Sequence, residues 1–417
     1  MSSRPTPGRP IVVQKFGGTS VGSVPRIHHV ATLALAARRA GKDVVVVVSA
    51  MSGETNKLLA LADEVAEPGD RRERDAIAAV GEQVSAALTA IAIQAAGGKA
   101  RSFLGHQIPI HTDGNFGDAR VVKVEPTVLR ESLARGEIPV VAGFQGVDAH
   151  GNITTLGRGG SDTTAVAVAA ALGGECDIYT DVDGVYTADP NIVKSARKLA
   201  WVSYRHMLTF AALGAKVLHD RSVELAQQFS VPTRVLTSFG DTPGTTMSAS
   251  EEEIEGAIGG IACDRKMVLI FPAPGGGSIV KQAMGQLVAS LADRGAVVGC
   301  QFDEADPFAF TVRSVDLPAL KVVAKEREFP RVCLEDIARV SLVGYRLGKV
   351  PRLEAKAKQL LKGFGVKIRK SLVTDDYISL FVAPTDADEA MRVLHDGMAV
   401  GVGSEHGDAA KAKRRRR

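Results

Sequence analysis

Uninterrupted apolar runs alternate along this chain with longer amphipathic stretches. Ile11–Phe16 and Asp43–Val48, the second with five consecutive valines, have the pattern of strands buried on both faces. A helical pattern over 25–39 separates them. The runs at 138–144 and 176–180 repeat the theme, with helices predicted at about 71–96, 125–135 and 161–172. Strand–helix alternation of this kind predicts a doubly wound, mainly parallel α/β sheet over 11–247.

Beyond Met247 the pattern changes. Residues 248–260 are polar and acidic at first and read as a linker. A strand at 266–272, a helix at 279–294, strands at 296–303 and 308–314 and a helix at 315–328 then form one βαββα unit, over 261–335. A second, over 336–400, places strands at 338–343, 366–371 and 377–382 and helices at 350–364 and 386–398. Small α+β modules of this kind bury a sheet edge against a copy, which predicts a homo-oligomer. Residues 1–10 and the basic stretch 401–417 read as disordered.

Composition narrows the functional classes. A length of 417 residues suits two or three domains. Only 5% of the chain is aromatic, too little for a base-stacking nucleic-acid platform. The net charge of +4 is outweighed by the six basic residues within 411–417, so the body is not basic and no nucleic-acid partner is expected. Cys176, Cys263, Cys300 and Cys333 lack metal-ligand spacing and read as reduced thiols of a cytoplasmic protein. The N-terminus lacks a signal-peptide pattern and no run of about 20 apolar residues stands out, so no membrane is expected.

The candidate chemistry collects at strand ends. Lys15-Phe-Gly-Gly-Thr-Ser20 follows the first strand, where open α/β sheets bind ligands. Glycines admit a phosphate, Lys15 supplies charge, and Thr19 and Ser20 supply hydroxyls, although the spacing is not that of a Walker A loop. Ser49-Ala-Met-Ser-Gly-Glu-Thr-Asn-Lys57 ends the second strand on the same edge. Glu82 interrupts an apolar helix and could take an ammonium group. Gly157-Arg-Gly-Gly-Ser-Asp162 opens a helix and offers backbone N–H groups to an anion. Arg158 is long enough to clamp a carboxylate, and Asp162 could orient lysines or a metal. Lys216 could reach a phosphate. No nucleophile–base arrangement is visible. Phosphoryl transfer to a carboxylate needs none, because the acceptor is already anionic; it needs charge neutralisation.

These runs, with Ser49-Ala-Met51, Gly81-Glu82, Thr154 to Ala165, Tyr179-Thr-Asp-Val-Asp-Gly-Val-Tyr-Thr-Ala-Asp-Pro190 and Gly214-Ala-Lys-Val-Leu-His219, resemble the aspartate kinases of the amino acid kinase superfamily over about 15–245. The resemblance implies ATP-dependent phosphorylation of the L-aspartate β-carboxyl with Mg²⁺, giving 4-phospho-L-aspartate for lysine, threonine, methionine and diaminopimelate synthesis. By position, it implies that Lys15, Phe16, Gly17 and Gly18 meet ATP. Thr19, Ser20, Ser49, Thr55, Asn56 and Lys57 would line the aspartate side. Glu82 would hold the ammonium, Arg158 the α-carboxylate, and Ser161 would assist. Asp162 would organise the lysines, and Thr180, Asp181, Tyr186, Asp189 and Asn191 would surround the nucleotide. Lys216 would stabilise the transferring charge.

Two departures stand out. Asn191 stands where relatives often have Arg, and Asp220 replaces the Pro of a Leu-His-Pro-Arg-Ser run. The C-terminal modules resemble paired ACT regulatory modules loosely, without the usual effector turns, so weak or altered feedback is expected. The resemblance also admits a shorter regulatory subunit translated from an internal start such as Met247. A catalytically weak sensing or assembly paralogue is the alternative reading.

Overall fold

The computed structural model describes residues 9–215, 217–249, 254–273, 277–294, 296, 298–302, 308–326, 332–398 and 400–401. They fall into two units. The first comprises Met1–Val185, Lys198–Ala211 and Lys216–Glu251; the second comprises Tyr186–Arg197, Ala212–Ala215 and Glu252–Arg417.

The first unit begins β1 (Ile11–Phe16), α1 (Val24–Arg39), β2 (Asp43–Val48), α2 (Glu54–Val65), α3 (Arg71–Ala78) and α4 (Val80–Ala95). It continues with β3 (Ala100–Phe103), β4 (Ile110–Thr112), β5 (Val121–Val124), α5 (Thr127–Ala134), β6 (Ile138–Ala142), β7 (Gln145–Val147) and β8 (Ile153–Thr155). Then come α6 (Gly160–Leu172), β9 (Glu175–Thr180), β10 (Trp201–Ser203), α7 (Tyr204–Ala212), α8 (Asp220–Gln228), β11 (Thr233–Thr237) and β12 (Thr245–Ser248).

Eight strands form one sheet in the order β10-β12-β11-β9-β1-β2-β6-β3, parallel except between β11 and β12. The expected doubly wound sheet is therefore present. The valines of β2 are fully buried, as continuous apolar strands must be between helical layers. Strand order reverses at β1, which pairs with β2 on one side and β9 on the other. Such a switch point opens a crevice at the carboxyl ends of the strands.

One sequence expectation is corrected and one sheet is new. The helix expected at 71–96 breaks at Ala79, whose carbonyl accepts the Gln145 side-chain amide at 3.2 Å. That stretch, Arg71–Ala95, is also long and apolar enough to cross a membrane, but 56% of its most apolar window is buried in the protein. Its apolarity is that of a core helix. A small sheet, β5-β4-β7-β8, was not expected at all.

The second unit contains β13 (Ile258–Pro272), α9 (Gly277–Ala292), β14 (Val298–Phe302), β15 (Ala309–Arg313) and α10 (Leu317–Glu326). It then repeats the pattern with β16 (Val332–Gly344), α11 (Arg352–Gly363), β17 (Lys370–Val373), β18 (Tyr377–Val382) and α12 (Ala387–Gly397). Both βαββα patterns are present, and they share one antiparallel sheet, β14-β15-β13-β16-β18-β17. β13 starts inside the stretch read as a linker, and β17 begins later than the strand expected at 366–371. Residues 186–197 join this unit instead of the N-terminal stretch. Ala188 and Val193 are buried in the same cluster as Ile258, Ala338 and Leu394. Thr187 Oγ1 lies 2.9 Å from His395 Nε2, and the Thr187 carbonyl accepts the Ile261 N–H at 2.7 Å.

Candidate active site

A cleft of about 310 Å³ in the first unit opens at the carboxyl ends of β1 and β2 and the start of α6. Lys15, Gly17 and Gly18 enter it from β1, Ser49 from β2, and Thr55 from the first turn of α2. Glu82 comes from the first turn of α4, and Gly157 to Asp162 close it from the loop into α6, with Phe144 beside them.

Close backbone approach brings these groups together. A Cβ on Gly81 would lie 2.7 Å from the Ala50 Cβ, so glycine lets the start of α4 rest against the end of β2. Ser85 on the next turn donates to the Ser49 carbonyl at 2.7 Å. Gly159 caps α6 with φ +72, a conformation that L side chains rarely adopt.

The electrostatics divide into one buried ion pair and one acid without a cation. Lys15 Nζ lies 2.6 Å from Asp162 Oδ1, with both side chains largely buried. Glu82 is 3% exposed, and its Oε2 has no hydrogen-bond partner. Burial pushes its pKa up to about 7, although the Ala50 N–H pulls the other way. Arg158 is exposed at the cleft.

Nine residues with expected roles therefore line one cleft: Lys15, Gly17, Gly18, Ser49, Thr55, Glu82, Arg158, Ser161 and Asp162. Others do not. Phe16 is fully buried, stacked on Tyr179 with centroids 4.6 Å apart, so its side chain belongs to the core. Ser20 is fully buried with its Oγ 2.8 Å from that of Ser238. Thr19 and Asn56 are exposed and off the cleft lining, and Lys57 pairs with Glu54 at 2.6 Å.

On the nucleotide side, Thr180 ends β9 and donates to Asp181 Oδ1 at 3.0 Å. Tyr186, Asp189 and Asn191 lie in the segment that joins the second unit, where Asp189 Oδ1 accepts the Asn191 N–H at 2.9 Å. Lys216 lies outside the described residues. Asp220 is the first residue of α8, a position that suits Pro and Asp equally, since neither needs an intrahelical N–H partner there and Asp favours the dipole.

Two residues escaped the sequence reading. Phe144 adopts φ +68, held by its N–H on Thr164 Oγ1 at 3.1 Å and its carbonyl on the Leu156 N–H at 2.9 Å. A bulky residue in that region signals strain kept for a site. Asp75 sits buried in a run of charges that reads as an exposed helix start. Neither has a local sequence signal.

The profile described as the Amino acid kinase family matches residues 10–237. The chain is 42% identical over 402 residues to an aspartokinase of Thermus thermophilus, covering 92% of this chain and 98% of that protein. It is 40% identical over 410 residues to an aspartokinase of Pseudomonas aeruginosa, covering 95% of this chain and 100% of that one. The chain belongs to the aspartokinases of the amino acid kinase family. Aspartokinase III of E. coli, solved in complex with aspartate and ADP, shares the fold, with a TM-score of 0.77 at 24% identity over 93% of this chain and 99% of that one. As an aspartokinase, the chain is an ATP-dependent phosphotransferase.

Proposed function

We propose that the cleft holds L-aspartate and that the enzyme transfers the ATP γ-phosphoryl group to its β-carboxylate, giving 4-phospho-L-aspartate. The observation that carries this reading is the partnerless Glu82 carboxylate oxygen in the same cleft as the exposed Arg158. An α-amino acid supplies both missing partners: its ammonium group meets Glu82, and its α-carboxylate meets Arg158 in a bidentate pair. Ser49, Thr55 and Ser161 then flank the side-chain carboxylate.

A β-carboxylate oxygen attacks the γ-phosphorus, the bond to the β,γ-bridging oxygen breaks, and ADP leaves with the electron pair; no proton moves. Two anions must approach, so the cost is electrostatic. Lys15, fixed by Asp162, meets that charge, and the N-terminus of α6 adds a partial positive charge. The phosphates are assigned to Gly18, Thr180 and Asp181 of the first unit; the assignment of Tyr186, Asp189, Asn191 and Lys216 to the nucleotide rests on the sequence resemblance alone. Among the described residues no three His, Cys, Asp or Glu side chains converge as a metal cage. Mg²⁺ carried on the nucleotide takes one or two carboxylates plus phosphate oxygens. Exposed Asp181 is the carboxylate assigned to it. Mg²⁺ supplies neutralisation of the transferring phosphoryl charge.

The two βαββα modules are assigned to regulation and to homo-oligomer formation through the open edges of their sheet, with a shorter regulatory subunit as a further partner. Their altered turns, 271–278 and 346–352, favour weak responses to lysine and threonine. Sub-millimolar inhibition by either amino acid would overturn that assignment. The soluble substrates favour a cytoplasmic location. Trapping the acyl phosphate with hydroxylamine, with ATP, Mg²⁺ and L-aspartate, tests the reaction: aspartyl hydroxamate that disappears in Arg158→Ala supports it. Aspartate binding without product would favour the sensing paralogue.

A further inference from the structure

Asp75 on α3 is 3% exposed and touches none of the cleft. Its Oδ2 accepts the Thr155 N–H at 2.7 Å and the Gly117 N–H at 2.9 Å, and its Oδ1 accepts the Thr155 hydroxyl at 2.8 Å. No cation pairs with it among the described residues. A buried carboxylate is a costly way to hold a helix in place unless every donor it meets requires an acceptor. Here all three do.

The groups it joins belong to two arms of the cleft. Thr155 ends β8 and stands three residues before Arg158. Gly117 and Asp118 pack under the loop that carries Arg158: a Cβ on Gly157 would lie 2.6 Å from Asp118 Oδ1. Asp118 is itself held by Arg221 at 2.5 Å. In the other direction, α3 leads through Ala79 directly into α4, which carries Glu82 in its first turn, seven residues after Asp75. Gln145 braces the joint between the two helices. The carboxylate thus links the element that carries Glu82 to the element that carries Arg158.

We propose that Asp75 is a positioning residue that sets the spacing between Glu82 and Arg158, and so the fit of the enzyme to an α-amino acid of one length. This rests on the assignment of those two residues to the substrate's ammonium and α-carboxylate. Asn at position 75 would keep one oxygen for the two backbone N–H groups and turn its NH₂ to the Thr155 hydroxyl, which must then accept; without the negative charge both backbone bonds weaken and the link loosens.

Steady-state assays of Asp75→Asn test it. The expected result is an aspartate KM raised about ten-fold, as the loss of hydrogen bonds to a charged group gives, with the ATP KM within about two-fold of the original. In an Arg158→Ala background the same change adds little, because Asp75 acts through Arg158. An aspartate KM that stays put, an ATP KM that rises in parallel, or full additivity would overturn the proposal. If Asp75→Asn does not fold, Thr155→Val removes only the hydroxyl bond and should raise the aspartate KM about three-fold; no change there is equally fatal. Normal hydroxamate formation by the unaltered enzyme with unmoved variants would dismiss Asp75 alone. No hydroxamate from the unaltered enzyme would dismiss the substrate assignment and this inference with it.

Discussion

Lys15 Nζ stands 2.6 Å from Asp162 Oδ1, tying the end of β1 to the first turn of α6. The pair places a cation where the sheet changes direction and keeps it from wandering. Lys15→Met should lower kcat by about 10²–10³-fold while the aspartate KM changes little, since the charge is needed most when the two anions meet. Asp162→Ala leaves a buried lysine without its partner and should cost about 3 kcal/mol, read from urea unfolding. A kcat for Lys15→Met within ten-fold of the original would remove Lys15 from the chemistry.

Glu82 makes the enzyme sensitive to pH near neutrality. Its carboxyl titrates at about 7 because it is buried. Only the ionised form attracts an ammonium group, so kcat/KM for aspartate should fall about ten-fold per pH unit below that value. The Glu82→Gln variant should lose that limb together with most of its affinity. Stability runs the opposite way. The raised folded pKa means that the neutral acid suits the fold, so stability is greatest below about pH 4.5 and falls as the pH rises towards 7. Glu82→Gln should therefore be more stable than the original at pH 8, by on the order of 3 kcal/mol, in denaturant titrations without substrate.

Arg158 separates binding from folding. It is exposed, so Arg158→Ala should shift stability by less than about 0.5 kcal/mol. The aspartate KM should rise about 10²-fold, the loss of a bidentate charged contact. Arg158→Lys should recover only part of it, because an ammonium cannot span both carboxylate oxygens. Full recovery would argue for a point charge instead of a fork.

Much of the fold was legible because its strands are buried on both faces. Five valines in a row at 44–48 have no other common explanation, and the runs at strand ends pointed to one edge of one sheet. What was hidden lacked a one-dimensional signal. The break at Ala79 carries no Pro, and the Ala79 carbonyl is taken up by Gln145, 66 residues away. Asp75 hides in Arg71-Arg-Glu-Arg-Asp, where only the folded chain decides which charge turns inward. Strands of three or four residues such as β4, β7 and β8 are too short for alternation to register. The resemblance assigned Phe16 and Ser20 to ligands by position, yet both side chains are fully buried, Phe16 on Tyr179 and Ser20 against Ser238.

The cap of α6 offers a test of geometry. Gly159 has φ +72, and a Cβ there would come within 2.3 Å of the His219 Cβ. Gly159→Ala should cost at least about 1–3 kcal/mol and lower Tm by several degrees. Its kcat/KM should fall as Arg158 and Asp162 move with the loop. A variant with unchanged Tm and full activity would mean that the loop re-forms around the methyl group.

The chain crosses between the two units several times before it settles in the second. Ala188 and Val193 fill part of that unit's core, and the Thr187 carbonyl serves Ile261. No single cut can therefore excise the second unit intact. A polypeptide started at Met247 would lack 186–197 and 212–215, leaving a hole beside Ile258 and His395 without its threonine. Such a fragment would have to borrow the missing strip from another chain. For anyone building chimeras from this enzyme, the transferable piece is not the C-terminal stretch but that stretch together with two inserts from the kinase half.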